Sequence, residues 1–287
     1  MLSYILIAPI LYLLSYLPSR VLYKLSDVLA YVLCHIIKYR KKLVLENIQR
    51  SFPEKSEAEQ KEICRKSYNH LADRIVETLK CISISEAEVN ERATVKNIEL
   101  IDKWMAEKKS IVALLGHIGA WEYGAYKASI ILECKTFGVV SMLSNPYFNR
   151  MVQRTRGRMG MKLIAMQHAS AFFSEPLKEH ATVFFIGDQS PNPKRAYWTQ
   201  FLNQDTGFFT GGERYAKAHN CAVVYIEMAQ VERGKYTIEL FEICDDANAV
   251  NENEITEQFS KHLEQTIRKN PSDWLWSHNR WKHKRPI

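Results

Sequence analysis

The chain has no C-x-x-C pair, no H-E-x-x-H motif and no Cys/His cluster, so it offers no sequence grounds for a metal site. Its six cysteines, at positions 34, 64, 81, 134, 221 and 244, are scattered over 287 residues. A chain of this size does not need disulfide staples, so they read as reduced core thiols in a cytosolic setting. No internal repeat, low-complexity linker or domain boundary is visible after about residue 45. There is also no charged side chain in the first eighteen residues, MLSYILIAPILYLLSYLP. A cleaved signal peptide would want a positive residue before that run and a small-x-small site after it. Both are missing, and cleavage is not expected.

An eighteen-residue apolar run sits at the short end of what spans a bilayer. The next stretch, VLYKLSDVLAYVLCHIIKYRKK, contains Lys24 and Asp27, which favours a helix lying against a membrane or the body over a second span. Lys38, Arg40, Lys41 and Lys42 follow, placing the chain from about residue 38 onward in the cytoplasm by the positive-inside rule. Residues 1–45 are thus expected to form a membrane-anchoring or amphipathic helical region and 46–287 the functional domain. A buried hairpin of a soluble protein is the alternative for the first segment.

Charged residues make up 25% and apolar residues 46%, as in a globular protein. The net charge of +7 and a pI near 9.0 favour an anionic partner such as phosphate, nucleic acid or a membrane surface, without choosing among them. Ser56 followed by Glu59 is a capping box, and Ile63, Tyr68, Leu71, Ile75 and Leu79 continue it as an amphipathic helix over about 56–81. KSIVALLGH, CKTFGVV, ATVFFIGDQ, CAVVYIEM and YTIELFEI read as strands. GAWEYGAYKASIIL, NPYFNRMVQRTRGRMG and EITEQFSKHLEQTIRKN read as helices, and 202–210 as a loop. Strands alternating with helices predict an α/β sheet with helices on both faces.

Three apolar strands end in polar residues, at Gly116–His117, at Gly187–Ser190 and at Tyr225–Met228. Ligands gather outside the carboxyl ends of such strands, which draws His117, Glu122, Asp188 and Gln189 into one neighbourhood. With His117 in a strand-to-helix turn and Glu122 in the following helix, the carboxylate is expected to accept the Nδ1 proton of His117. That would leave Nε2 as a general base. Arg150, Arg154, Arg156 and Arg158 crowd one short stretch and suit phosphate, because guanidinium forks pair with it bidentately; a solvated basic helix face is equally compatible. No aromatic residues are interleaved with these arginines and no nucleic-acid-binding motif is present, so nucleic acid is not an expected partner. In the C-terminal run NPSDWLWSHNRWKHKRPI, Trp274, Trp276 and Trp281 stand beside Arg280, Lys282, Lys284 and Arg285. Such a run suits a membrane interface, or else the tryptophans dock on the core.

Taken in order, these motifs resemble the late acyltransferases of lipid A biosynthesis, within the lysophospholipid acyltransferase superfamily. LENIQRSFPEKSE resembles the family's N…FPE entry, and His117 with Glu122 its H-x4-D/E. Asn145–Pro146 with Arg156 and Arg158 resembles its N-P…R-x-R, and Asp188–Gln189 its D-Q pair. Thr210–Gly211 with Ala216–Lys217 resembles its T-G…A-R/K turn, and Trp276, His278, Arg280, Lys282 and Arg285–Pro286 its terminus. One departure is DQSPNPKRAYW, which lacks the aspartate and glycine common after D-Q in that family.

The resemblance implies a glycerol-phosphate-acyltransferase-like mixed sheet flanked by helices. It implies an enzyme on the cytoplasmic face of the bacterial inner membrane that moves a fatty acyl chain from acyl-acyl carrier protein to a hydroxyl of a phosphorylated glycolipid, a lipid A precursor. His117 and Glu122 would be catalytic. Arg154, Arg156, Arg158, Asp188, Gln189 and Arg280 would contact substrate, with no metal and no tightly bound cofactor. An acyltransferase of the same fold using a lysophospholipid or aminolipid acceptor, and a non-enzymatic peripheral protein binding anionic lipid, are the competing readings.

Overall fold

The structure, a computed structural model, describes residues 2–172, 174 and 180–286. At its centre lie seven strands: β1 (Ala93–Lys96), β2 (Ile111–Leu115), β3 (Lys135–Val140), β4 (Lys162–Ala165), β5 (Ala181–Ile186), β8 (Ala222–Glu232) and β9 (Lys235–Cys244). They form one sheet in the order β1-β9-β8-β2-β5-β3-β4. All pairings are parallel except the β8–β9 hairpin. Two further strands, β6 (Tyr197–Phe201) and β7 (Gln204–Phe208), form a separate antiparallel hairpin. That hairpin replaces the loop expected at 202–210; Leu202 and Asn203 take positive φ at its tip, a turn that an Asn accommodates.

The apolar run of β2 is continuous because both of its faces are covered. Val112 and Leu114 join a core with Val44, Tyr68, Tyr215 and Leu263. These come from α3 (Lys41–Ser51), α4 (Glu57–Lys80), α10 (Gly211–Ala218) and α11 (Glu254–Lys269). Ile111 and Ala113 face the other way, into a core with Val89, Trp104 and Tyr123. Those belong to α5 (Glu86–Arg92), α6 (Glu99–Ala106) and α7 (Trp121–Ile131). Of two more helices, α8 (Pro146–Arg156) packs against α7 and α9 (Met166–Phe172) against β3 and β4. The capping box at Ser56 and Glu59 is present and starts α4. All six cysteines are unpaired.

The N-terminal region forms α1 (Leu2–Ser15) and α2 (Ser19–Tyr31), followed by a π-helical turn at Val32–Ile36. Among the described residues no helix is long and apolar enough to cross a membrane. Polar contacts fasten α2 to the body. Ser26 donates to Asp73 at 2.6 Å, and Arg233 donates to Asp73 at 2.7 and 3.0 Å and to Asp27 at 2.7 Å. Tyr23 donates to Glu77 at 2.8 Å, and Arg92 to Ser19 at 2.7 Å. Asp73 and Glu77 are buried on α4, so these bonds lie in a medium where an unpaired partner is costly.

The Trp-rich tail does not face outward. Trp276 is 1% exposed, donates from Nε1 to the Pro271 carbonyl at 2.6 Å and packs edge-on against Phe52. Trp274 is buried as well, and half-buried Trp281 rests on it. This corrects the membrane-interface reading of that run: indole rings bury more area against a core than a two-dimensional surface offers.

Asp73→Ala leaves buried Ser26 without its acceptor and takes from Arg233 the more buried of its two carboxylate partners, Asp27 remaining. It should cost about 2 kcal/mol, the range for hydrogen bonds to a charged group. Chemical denaturation should show that loss, together with faster proteolysis within α1 and α2.

Candidate active site

In the parallel β2–β5 pair, Leu115 lies opposite Ile186. Two residues further along each chain, the same register brings His117 level with Asp188. The chain beyond Leu115 must pass very close to its neighbours. A Cβ at Gly116 would stand 2.5 Å from Leu263 Cδ1, and Gly119 adopts φ +62° with Met228 Cγ only 2.8 Å from where its Cβ would be. Glycine alone meets both demands.

Asp188 is 3% exposed and fully employed. His117 Nδ1–H donates to its Oδ1 at 2.6 Å, while the His117 backbone N–H and Trp274 Nε1–H both donate to Oδ2 at 2.8 Å. Burial alone would push this carboxyl up. The facing His117 charge and the hydrogen bonds from His117 and Trp274 outweigh it and hold the group at about 2. An ionised carboxylate only accepts, so the proton of the neutral imidazole sits on Nδ1 and Nε2 carries the lone pair. Gln189 Nε2 lies 3.4 Å from that atom, and Trp121 packs edge-on against the ring at 5.1 Å.

Glu122 has a different partner from the one its spacing suggests. Arg156 reaches from the end of α8 and donates to it from Nε at 3.0 and 3.1 Å and from Nη2 at 2.5 Å. Burial works against the Arg156 charge, but the facing carboxylate more than compensates and raises its pKa. The expectation that Glu122 orients His117 is therefore corrected: the Nδ1 position is taken by Asp188 from the adjacent strand.

Beneath α7 lies a cavity of about 320 Å³ whose lining includes His117, Trp121, Glu122, Arg156 and Gln189. The rest of its wall is almost entirely apolar. Ala113, Leu115, Phe184, Val224, Ile226 and Ile238 cover the sheet side. Gly124, Ala125 and Ala128 form the underside of α7. Such small residues leave room that Leu or Phe would fill.

The other candidate residues do not meet here. Arg154 is exposed, and Arg158 donates to the Cys81 carbonyl at 2.8 Å. Arg280 is buried at the β6–β7 hairpin, donating to the Gly207 carbonyl at 2.6 Å and lying over the Phe208 ring. Asp188, expected to contact substrate, has no exposed acceptor to offer one. Of the arginine cluster only Arg156 lines the cavity. Sequence reasoning has no signal for Trp274 as an Asp188 donor, since it lies 86 residues away in the chain.

The chain matches the family model of the bacterial lipid A biosynthesis acyltransferases over residues 1–283 and belongs to that family. Similar proteins include a lipid A biosynthesis acyltransferase of Haemophilus influenzae, 23% identical over 93% of this chain and 83% of its own length. An Escherichia coli lipid A biosynthesis lauroyltransferase is 23% identical over 95% of this chain and 89% of its own length. A palmitoleoyltransferase of the same organism and process is 21% identical over 97% and 90%.

The lowered Asp188 pKa has a stability consequence. It contributes above the ordinary carboxylate pKa near 4, and the contribution is lost as pH falls from there through about 2. The stability of the native protein should therefore drop about 2 kcal/mol further across pH 4 to 2 than that of Asp188→Asn. Chemical denaturation of both proteins in detergent at stepped pH would show whether the two curves converge.

Proposed function

We propose that this chain is a membrane-bound acyltransferase that moves a fatty acyl chain from acyl-acyl carrier protein to a hydroxyl of a lipid A precursor, at the cytoplasmic face of the bacterial inner membrane. The observation that carries the reading is a largely apolar cavity lined in part by His117, whose Nδ1 is engaged by a buried carboxylate. Apolar walls suit an alkyl chain, and a few polar groups at one end suit its reactive head.

In this scheme the acyl chain lies under α7 with its thioester carbon beside His117 Nε2. The acceptor hydroxyl gives its proton to Nε2 while its oxygen attacks the carbonyl carbon. The imidazolium that forms faces the Asp188 carboxylate. Collapse of the tetrahedral intermediate breaks the C–S bond, and the imidazolium returns its proton to the leaving sulfur. Ester and free thiol result, with His117 regenerated. No covalent enzyme intermediate is invoked. Donors for the oxyanion come from the rim, where Gln189 and Arg156 both line the cavity. Asp188 and Trp274 act as positioning residues through His117.

Membership in a family of lipid A acyltransferases supports the acceptor class, and names such as lauroyltransferase and palmitoleoyltransferase among similar proteins support an acyl donor. The donor's carrier is an expectation from the resemblance of the sequence motifs. The positive stretch that follows residue 38 supports the cytoplasmic side.

His117→Ala should lower transfer from acyl-acyl carrier protein to a lipid A precursor at least about 10²-fold, the low end for removal of a general base. Purified variant protein turning over at near-normal rate would overturn the mechanism. Filling the cavity from the underside of α7 is a second handle. Ala128→Leu should shift chain preference toward shorter donors, raising KM for the longest one with kcat for a short one within about threefold, as a competition assay with mixed donors would read out.

A further inference from the structure

The C-terminal segment grips the end of β5 twice, once on each side of Gln189. On one side Trp274 Nε1–H donates to Asp188 Oδ2 at 2.8 Å. On the other, the Ser190 backbone N–H donates to His278 Nε2 at 3.3 Å, and Ser190 Oγ donates to the Arg280 carbonyl at 2.6 Å. The backbone is fixed before and after this segment as well. Gly187 N–H donates to the Leu115 carbonyl at 3.1 Å, and Pro191 is buried. Gln189, between the two grips, lines the acyl cavity, with its Nε2 at 3.4 Å from His117 Nε2.

To accept from Ser190, His278 must be a neutral imidazole with its proton on Nδ1. Its surroundings keep it so. Burial, the largest cause, pushes its pKa down to about 4; Asp188 opposes this, while Arg280, His117 and Lys282 add to the lowering. The tail that carries His278 is itself braced. Buried Asn47 donates from Nδ2 to the Trp276 carbonyl at 3.1 Å and to the His278 carbonyl at 3.2 Å. Buried Arg280 ties the tail to the β6–β7 hairpin through the Gly207 carbonyl and the Phe208 ring. Neither His278 nor Ser190 lines the acyl cavity. Their effect on the chemistry passes through the residue between Asp188 and Ser190, as outer groups act by orienting inner ones.

We propose that His278 is a positioning residue of the active site. By accepting the Ser190 N–H it closes, with Trp274, a clasp on the Asp188–Gln189–Ser190 segment, and the clasp aims the Gln189 amide at the carbonyl oxygen of the acyl donor. A donor fixed in place before charge develops is what stabilises an oxyanion, whereas a glutamine on a loose loop would spread over its rotamers. The inference rests on the reading of Gln189 as an oxyanion donor in acyl transfer, but its first test needs no turnover. In NMR spectra of the full chain with isotope-labelled histidine, the His278 signal is the one lost in His278→Gln. It should show a neutral ring protonated on Nδ1 down to about pH 4. A charged ring at neutral pH, or one protonated on Nε2, would overturn the clasp.

Steady-state acyl transfer by the full-length variants tests the rest. Gln189→Ala should lower kcat about 10²-fold, as loss of an oxyanion donor does. His278→Ala should lower kcat at least about tenfold with KM for the acyl donor unchanged, the pattern of a misplaced group that acts only in the transition state. His278→Gln sets an amide oxygen near the place of Nε2 and should restore kcat to within about threefold of native. Added to Gln189→Ala, the change His278→Ala should cost less than about twofold more. Losses that multiply in the double variant would refute action through Gln189, and a folded His278→Gln as slow as His278→Ala would refute the acceptor role. Native turnover by Gln189→Ala removes the positioning role and leaves acyl transfer standing. Absence of transfer by the native chain removes the proposed reaction, and the protonation state of His278 then decides the clasp by itself.

Discussion

A carboxylate with almost no access to water organises this molecule. Asp188 receives donors from the end of β2, from the ring of His117 and from Trp274 in the C-terminal segment. Each is far from it in sequence, and the three come together only when the sheet, the turn after β2 and the tail are all in place. Burying a charge is unfavourable unless it is paired and hydrogen-bonded. The interaction therefore does two jobs: it ties the tail onto the carboxyl ends of the central strands β2 and β5, and it sets the tautomer and direction of one imidazole. The isolated bridge between Ile118 and Trp274 holds the same junction through the backbone.

The cavity beneath α7 is the second constraint, and it is costly in the opposite way. Cores approach crystal-like density, and unfilled space forfeits roughly 24 cal/mol per Å³. A cavity of about 320 Å³ is out of proportion to the packing defects a domain ordinarily keeps. It survives because Gly124, Ala125 and Ala128 withhold side chains from the underside of α7, while Trp121 and Glu122 hold that helix at its N-terminus through contacts to His117 and Arg156. The strands beneath are braced on their other face by a fully packed core. The sheet thus presents one face packed throughout its core and one whose core leaves a cavity beneath α7.

Much of this architecture is legible in the order of the residues. Strands β2, β3, β5, β8 and β9 and helices α4, α7, α8 and α11 announce themselves because apolar runs and 3.6-residue periodicity report burial directly. The same logic places His117 at a strand end. Pairing over distance is what a linear pattern conceals. His117 and Asp188 are separated by 71 residues, and only the β2–β5 register puts them opposite each other; local spacing points instead to Glu122. The tryptophans of the tail mislead for a related reason, since an aromatic and basic run reads alike whether its rings face lipid or a core. The β6–β7 hairpin escapes notice because its strands, YWTQF and QDTGF, mix polar and small residues without clean alternation. Short β1 and β4 have only four residues each, too few to establish a period.

Two carboxylates stand near one imidazole, and their different partners explain how both are tolerated. Glu122 is 7% exposed, and a buried carboxylate without a partner is costly. Arg156 removes that problem by taking both oxygens of Glu122. The pair is close to neutral as a unit, yet it leaves Arg156 lining the cavity, where the proposed reaction would develop charge on a carbonyl. The H-x4-E spacing therefore encodes two separate devices on one turn of chain. The histidine is answered by the neighbouring strand, and the glutamate recruits from α8 an arginine that composition alone groups with exposed Arg154.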